Sequence, residues 1–119
     1  MEVLTPSSRA SSFTDPTPEA AAKVLDSATP VDGRGDTDIA IDIDRKTAEA
    51  GVYPIVLASY QIACQKYDDK AQADLVKAWL TYIASEDGQA AAAKSAGSAP
   101  LSSDFSSKVQ AAIDTIAGA

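Results

Sequence analysis

Only two stretches of this chain read as β-strands, and a two-stranded sheet rarely stands on its own in water. In residues 38–44, Ile39, Ile41 and Ile43 alternate with Asp38, Ala40, Asp42 and Asp44. That period of two predicts a half-buried strand. Residues 53–64 form an apolar run with β-branched side chains, the pattern of a strand buried on both faces. Pro54 belongs at its start or on an edge, because proline cannot donate to the ladder. The expected fold class is α/β, with about two strands and three to four helices. As a lone domain it is expected to be incomplete, needing a sheet from elsewhere.

The helices announce themselves through their ends. Thr17, Pro18 and Glu19 stand in the order of N-cap, N1 proline and first-turn acid, which predicts a helix from residue 18 to about 28, anchored by Val24 and Leu25 and stopped by Pro30. Residues 31–37 read as a Gly- and Asp-rich loop. Asp68 or Asp69 caps the clearest helix, residues 70–85. There Leu75, Val76, Trp79, Leu80 and Ile83 make one apolar stripe, with Lys77 and Thr81 on the polar side. A short helical turn is expected over 87–94. Ser102 or Ser103 caps a last helix whose face carries Phe105, Val109, Ala112, Ile113 and Ile116. Residues 1–12, rich in Ser, Thr, Arg and Pro without periodicity, read as a disordered lead-in.

Composition narrows the function. The chain has 119 residues, enough for one small domain, and much of its 45% apolar content is alanine, so its core is thin. Ten basic against seventeen acidic residues leave a net charge of −7, which opposes binding to nucleic acid or to an anionic membrane. No apolar run approaches the roughly 20 residues that span a bilayer, so direct membrane insertion is not expected. The first residues lack the basic and apolar regions of a secretory signal, and the single cysteine, Cys64, lies in mid-chain. Taken as written, the chain would be cytoplasmic.

Chemistry-bearing residues are sparse. There is no histidine, which removes Ser-His-Asp and Cys-His sites and His-ligated zinc. Neither a GxxxxGK[ST] phosphate loop nor a GxGxxG fingerprint is present. The one dense group is Asp32, Asp36, Asp38, Asp42 and Asp44. Carboxylates can gather Ca²⁺ or Mg²⁺, but the spacing is not that of an EF-hand, and solvated aspartates are the plainer reading. Arg34-Gly35-Asp36 spells an adhesion tripeptide, a motif short enough to arise by chance. Glu86 and Asp87 sit where acids favour a helix start. Trp79 reads as core, and Cys64 as a buried, inert thiol at the end of a strand. No catalytic, cofactor-binding or metal-ligating residue is assigned, no cofactor is expected, and the chain is not expected to be an enzyme.

Four blocks carry a resemblance: Asp15-Pro16-Thr17-Pro18-Glu19-Ala20-Ala21; Tyr53-Pro54-Ile55-Val56; Ala78-Trp79-Leu80-Thr81-Tyr82-Ile83-Ala84-Ser85-Glu86-Asp87-Gly88-Gln89; and Ser98-Ala99-Pro100-Leu101. In order and spacing, from about Phe13 to Ile116, the chain resembles the C-terminal part of the phosphate-binding (solute-binding) protein of phosphate ABC importers, above all the actinobacterial forms. The resemblance implies a partial type II periplasmic-binding-protein fold, with residues 13–119 as the C-terminal portion and 1–12 as an unrelated lead-in. A truncated or frame-shifted reading of a longer gene would produce that pattern.

The resemblance also implies partners: inorganic phosphate and an ABC permease for the full-length family, at the periplasm or as a cell-surface lipoprotein. Members of the family hold phosphate with helix-start N–H groups, Ser/Thr hydroxyls, an arginine and an aspartate. Those motifs lie earlier in the family's chain, so no phosphate-binding residue is carried over to this one. The chain is then expected to be scaffold. An alternative from the residues alone is an independent small acidic protein that docks, or associates with itself, through its apolar helix faces.

Overall fold

The computed structural model describes residues 13–119; the lead-in expected over 1–12 lies outside the described residues. The described chain is mixed α/β. Its helices are α1 (Pro18–Asp26), α2 (Lys70–Ala84), α3 (Glu86–Ala96) and α4 (Ser103–Asp114). Four two-residue strands accompany them: β1 (Thr29–Pro30), β2 (Ile41–Asp42), β3 (Lys66–Tyr67) and β4 (Ala117–Gly118).

Each helix starts where its own side-chain chemistry places it. Thr17 Oγ1 accepts from the Ala20 N–H at 3.2 Å, and Pro18 follows at the first helical position. The Asp69 carboxylate accepts from the Ala71 N–H at 2.8 Å, settling the choice between Asp68 and Asp69. Ser102 Oγ accepts from the Phe105 N–H at 3.2 Å. A side-chain cap of this kind contributes about 1 kcal/mol by satisfying an N–H that has no helical partner. Ser85 does double duty: it closes α2 and its Oγ accepts from the Gly88 N–H at 3.1 Å to open α3. That immediate restart makes α3 longer than the turn expected over 87–94. Helix α1, by contrast, ends at Asp26, before residue 28, because Thr29 and Pro30 are drawn into β1.

Helices α2, α3 and α4 form a block closed by β3 and β4. These strands pair in parallel, Lys66 opposite Ala117 and Tyr67 opposite Gly118, and the three helices make the crossover between them. Two side-chain clamps fix the helix ends. Gln89 donates from Nε2 to the Ile83 carbonyl at 2.8 Å and accepts at Oε1 from the Leu101 N–H at 3.0 Å. Lys77 Nζ donates to the Asp114 carbonyl at 2.9 Å, at the end of α4 where carbonyls lack helical partners. Glycine is required at two close approaches. A Cβ on Gly88 would collide with the Tyr82 carbonyl oxygen, and one on Gly118 with Lys70 Cα.

The core is thin, as the composition implied. Among the described residues the buried apolar side chains are Ala20, Val24, Val52, Ala73, Ala84, Ile113 and Ile116, and three of these seven are alanines. Val24, at 1% exposure, anchors α1, which touches α4. On α4, Phe105, Val109 and Ala112 are half-buried and Ile113 is buried, the face that the spacing marks.

Three expectations are corrected. The strand over 38–44 contracts to Ile41–Asp42, paired antiparallel with Thr29–Pro30. Its partner is only two residues long and includes a proline with no N–H. The alternation survives in part as exposure: Ile39, Ile41 and Ile43 are half-buried and Asp38, Asp42 and Asp44 exposed, while Ala40 is half-buried with the isoleucines.

The run over 53–64 is not a buried strand. It continues without turn or bend from residue 52 to 64, yet Ile55, Leu57 and Ile62 are 76%, 92% and 95% exposed. No N–H of residues 55–63 donates to any described residue, so the ladder that would make it a strand is missing. Finally, the α2 stripe does not pack as a unit. Leu75 and Trp79 are 71% and 59% exposed, while Val76, Leu80 and Ile83 are half-buried and the closest packing falls at Ala73 and Ala84.

Candidate functional site

An anion site in an α/β protein is commonly built from free N–H groups at a helix start, backed by a cation or a hydroxyl. All four described helix starts already hold an oxygen of their own chain. Thr17, Asp69, Ser85 and Ser102 occupy them, and carboxylates crowd the same ends: Glu19 on α1, Glu86 and Asp87 on α3, Asp104 on α4. A carboxylate at the positive end of a helix is stabilising there and repels a second anion.

Several cations are also engaged. Arg34 Nε pairs with Asp38 Oδ2 at 3.0 Å and Lys70 Nζ with Asp74 Oδ2 at 2.6 Å. Arg45 Nη1 donates to the carbonyls of Pro54 at 3.1 Å and Val56 at 3.0 Å. Lys77 is committed to α4.

The aspartates singled out by the sequence stay apart. Asp38 divides its carboxylate between Arg34 and the Ala40 N–H at 3.1 Å, and Asp44 Oδ1 accepts from the Lys46 N–H at 2.9 Å. Asp32, Asp36 and Asp42 are exposed. Among the described residues no group of three or more His, Cys, Asp or Glu side chains converges on one point. Arg34, Gly35 and Asp36 are exposed in the loop between β1 and β2, with the Arg34 guanidinium turned to Asp38.

Glu86 and Asp87 stand in the first turn of α3, as their order along the chain implies. Cys64 is exposed, a correction of its reading as a buried thiol, and it follows from the missing ladder around residues 53–64. Trp79 is likewise surface, its ring 6.3 Å from that of Tyr82 at a 34° tilt.

Open depressions lie at the surface of the described residues. One of about 370 Å³ lies beside Phe13, Glu19, Lys23 and Gly51. The other, about 260 Å³, lies where Thr17 and Pro18 meet Val56, Leu57 and the Gly97–Ala99 loop. The first is also lined by Thr14, Asp15 and Thr17, so that two carboxylates outnumber its one cation, Lys23; the second is lined by no charged side chain. What the sequence reading missed is the long-range set: the reach of Arg45 to residues 54 and 56, the Gln89 clamp, and the burial of Val52. No local signal marks any of them, since each depends on how a loop returns. Among the described residues no helix is long and apolar enough to cross a membrane.

Comparison with known proteins adds a relation. The chain is 36% identical over 84 residues to phosphate-binding protein PstS3 of Mycobacterium bovis (strain BCG / Pasteur 1173P2), covering 67% of this chain and 22% of that protein. It is 34% identical over 102 residues to phosphate-binding protein PstS 2 of Mycobacterium tuberculosis (strain ATCC 25618 / H37Rv), covering 84% of this chain and 26% of that one. To phosphate-binding protein PstS 3 of Mycobacterium leprae (strain TN) it is 34% identical over 103 residues, with 83% and 26% covered. The chain therefore spans about a quarter of the length of the curated relatives it matches. No family profile matches it, and no solved structure does.

Proposed function

We propose that this chain is scaffold from a phosphate-binding protein that delivers inorganic phosphate to an ABC importer, with no phosphate ligand and no catalytic site of its own. The observation that carries this reading is the match to proteins named as phosphate-binding, over most of this chain and a small share of theirs. The helix starts support the second half: each is occupied by its own cap and flanked or capped by a carboxylate, a poor setting for phosphate. In this reading residues 13–119 form the C-terminal portion of the two-lobed fold. The working place of the whole protein is the periplasm or cell surface, and its partners are phosphate and the permease.

A melt followed by far-UV circular dichroism, with and without millimolar phosphate, tests the ligand-free assignment. A ligand that binds only the folded chain must raise the midpoint. The midpoint is expected not to move; an upward shift would overturn the assignment and place an anion site in this chain. The exposed Leu75, Trp79 and Tyr82 favour a second reading, a small acidic interaction protein docking through α2. Phosphate separates the two only when the rest of a phosphate-binding protein is supplied.

A further inference from the structure

Between two anchors the chain is bare. The Tyr53 N–H donates to the Ala20 carbonyl at 3.0 Å, and the Tyr67 carbonyl accepts from the Ala119 N–H at 3.0 Å. Arg45 holds the start of the run through the carbonyls of Pro54 and Val56. From Leu57 to Ala63 no backbone N–H or carbonyl is bonded to any described residue, and the chain passes through without turn or bend. Tyr60 is tied there only by its side chain, its hydroxyl accepting from the Ile41 N–H at 3.2 Å.

An endopeptidase takes its substrate as an extended strand, added to its own backbone across the bond to be cut. A bond inside a helix or ladder must first be opened, and the population of the opened form then limits the cut. Residues 57–63 need no opening. Side-chain exposure alone does not single them out, since Tyr60 is 51% exposed while Trp79 and Tyr82 are 59% and 49%. The backbone makes the difference. Trp79 and Tyr82 lie inside α2, which is capped by Asp69 and bonds its own N–H and carbonyl groups.

The side chains set the class of enzyme. No Lys or Arg lies in residues 52–65, so an endopeptidase that needs a basic residue finds no bond there. One with an apolar pocket is offered Leu57, 92% exposed, and Tyr60.

We propose that residues 55–63 are a processing site, where an endopeptidase with an apolar specificity pocket cuts the folded chain after Leu57 or Tyr60 before any bond in the helices. Water adds across the peptide bond. The carbonyl C–N bond breaks and a C–O bond forms, leaving a carboxylate on the first fragment and, with the protons transferred, an ammonium on the second. The second fragment carries the whole of residues 66–119, with α2, α3 and α4 still capped. This site goes beyond the functional reading above and does not rest on it.

Limited proteolysis of the full chain by chymotrypsin tests it, with intact-mass spectrometry of the earliest products. Complementary fragments meeting at Leu57–Ala58 or Tyr60–Gln61 are expected first, with the bonds after Trp79 and Tyr82 cut at least about 100-fold more slowly. A synthetic peptide of residues 52–65 gives the rate for the same sequence without a fold, and the chain should be cut within about threefold of it. Leu57→Asp combined with Tyr60→Asp places a charge against the apolar pocket and should slow the first cut at least about tenfold, while circular dichroism shows unchanged helix.

First cuts inside any of the four helices, or equal rates there and at 57–61, would overturn the proposal. A chain cut more than about tenfold more slowly than the peptide would overturn it too, because the run would then be covered, by a second copy if dilution removes the protection. A folded double variant cut as fast as the parent would reject Leu57 and Tyr60 as the residues recognised.

Discussion

Residues 66–119 and residues 52–65 adjoin in the chain and meet opposite fates. The first stretch packs three capped helices between two paired strands, with Ala73, Ala84, Ile113 and Ile116 buried. The second carries a β-branched apolar run and leaves Leu57 and Ile62 almost wholly exposed. The difference is one of backbone hydrogen bonding. A helix satisfies its N–H and C=O groups within its own segment, apart from the ends, and here the ends are met by Asp69, Ser85, Ser102, Gln89 and Lys77. A strand must be satisfied by a neighbour, and a buried strand without one is not stable. The block is self-sufficient in its polar groups, and the run is not.

Four substitutions would break or sharpen that contrast. Ile113→Ala should cost most, about 2–5 kcal/mol, because it opens a cavity on the buried face of α4 within the block. Urea unfolding followed by circular dichroism measures it, and a loss under about 1 kcal/mol would show that the block is not the stable unit. Gly118→Ala comes next at about 1–3 kcal/mol, since its Cβ would strike the backbone of Lys70 and push β4 off β3.

Ser102→Ala should cost about 1 kcal/mol through loss of the α4 cap. It also removes the 2.5 Å hydrogen bond from Ser102 Oγ to Asp26, which links α4 to α1, so hydrogen exchange should rise at both sites. Smallest of all, Leu57→Ser should change the stability of the chain alone by less than about 0.5 kcal/mol while reducing its light scattering on concentration. A larger loss would mean that residue 57 is packed within this chain and would remove the contrast.

How far the fold was legible follows the same line. Thr17-Pro18-Glu19 marks one helix start, and Ser102-Ser103 narrows another to two positions, of which Ser102 is the cap, because capping is decided within three or four residues. The face of α4 was legible for a similar reason. Trp79 was not: periodicity shows that α2 has an apolar side, but not which part of it another element covers. Strands β1, β3 and β4 are two-residue ladders with no alternation to read, and they exist because distant segments return to them. Of the candidate site, the roles of Glu86 and Asp87 at a helix start were local and legible. The exposure of Cys64 and the hold of Arg45 on residues 54 and 56 were not.

By itself, then, the sequence determined α1, α2 and α4, their starts to within a residue, the thin alanine-rich core and the mismatch between strand-forming runs and available partners. Each of these depends on side chains within about one helical turn, or on composition. Tertiary structure alone decided which apolar faces are covered. It turned α2 so that Ala73 and Ala84 face inward and Leu75 and Trp79 outward, and it paired Lys66 with Ala117 across the chain. It also left the N–H groups of residues 55–63 without a partner among the described residues, because pairing and burial are properties of two segments and cannot be read from one.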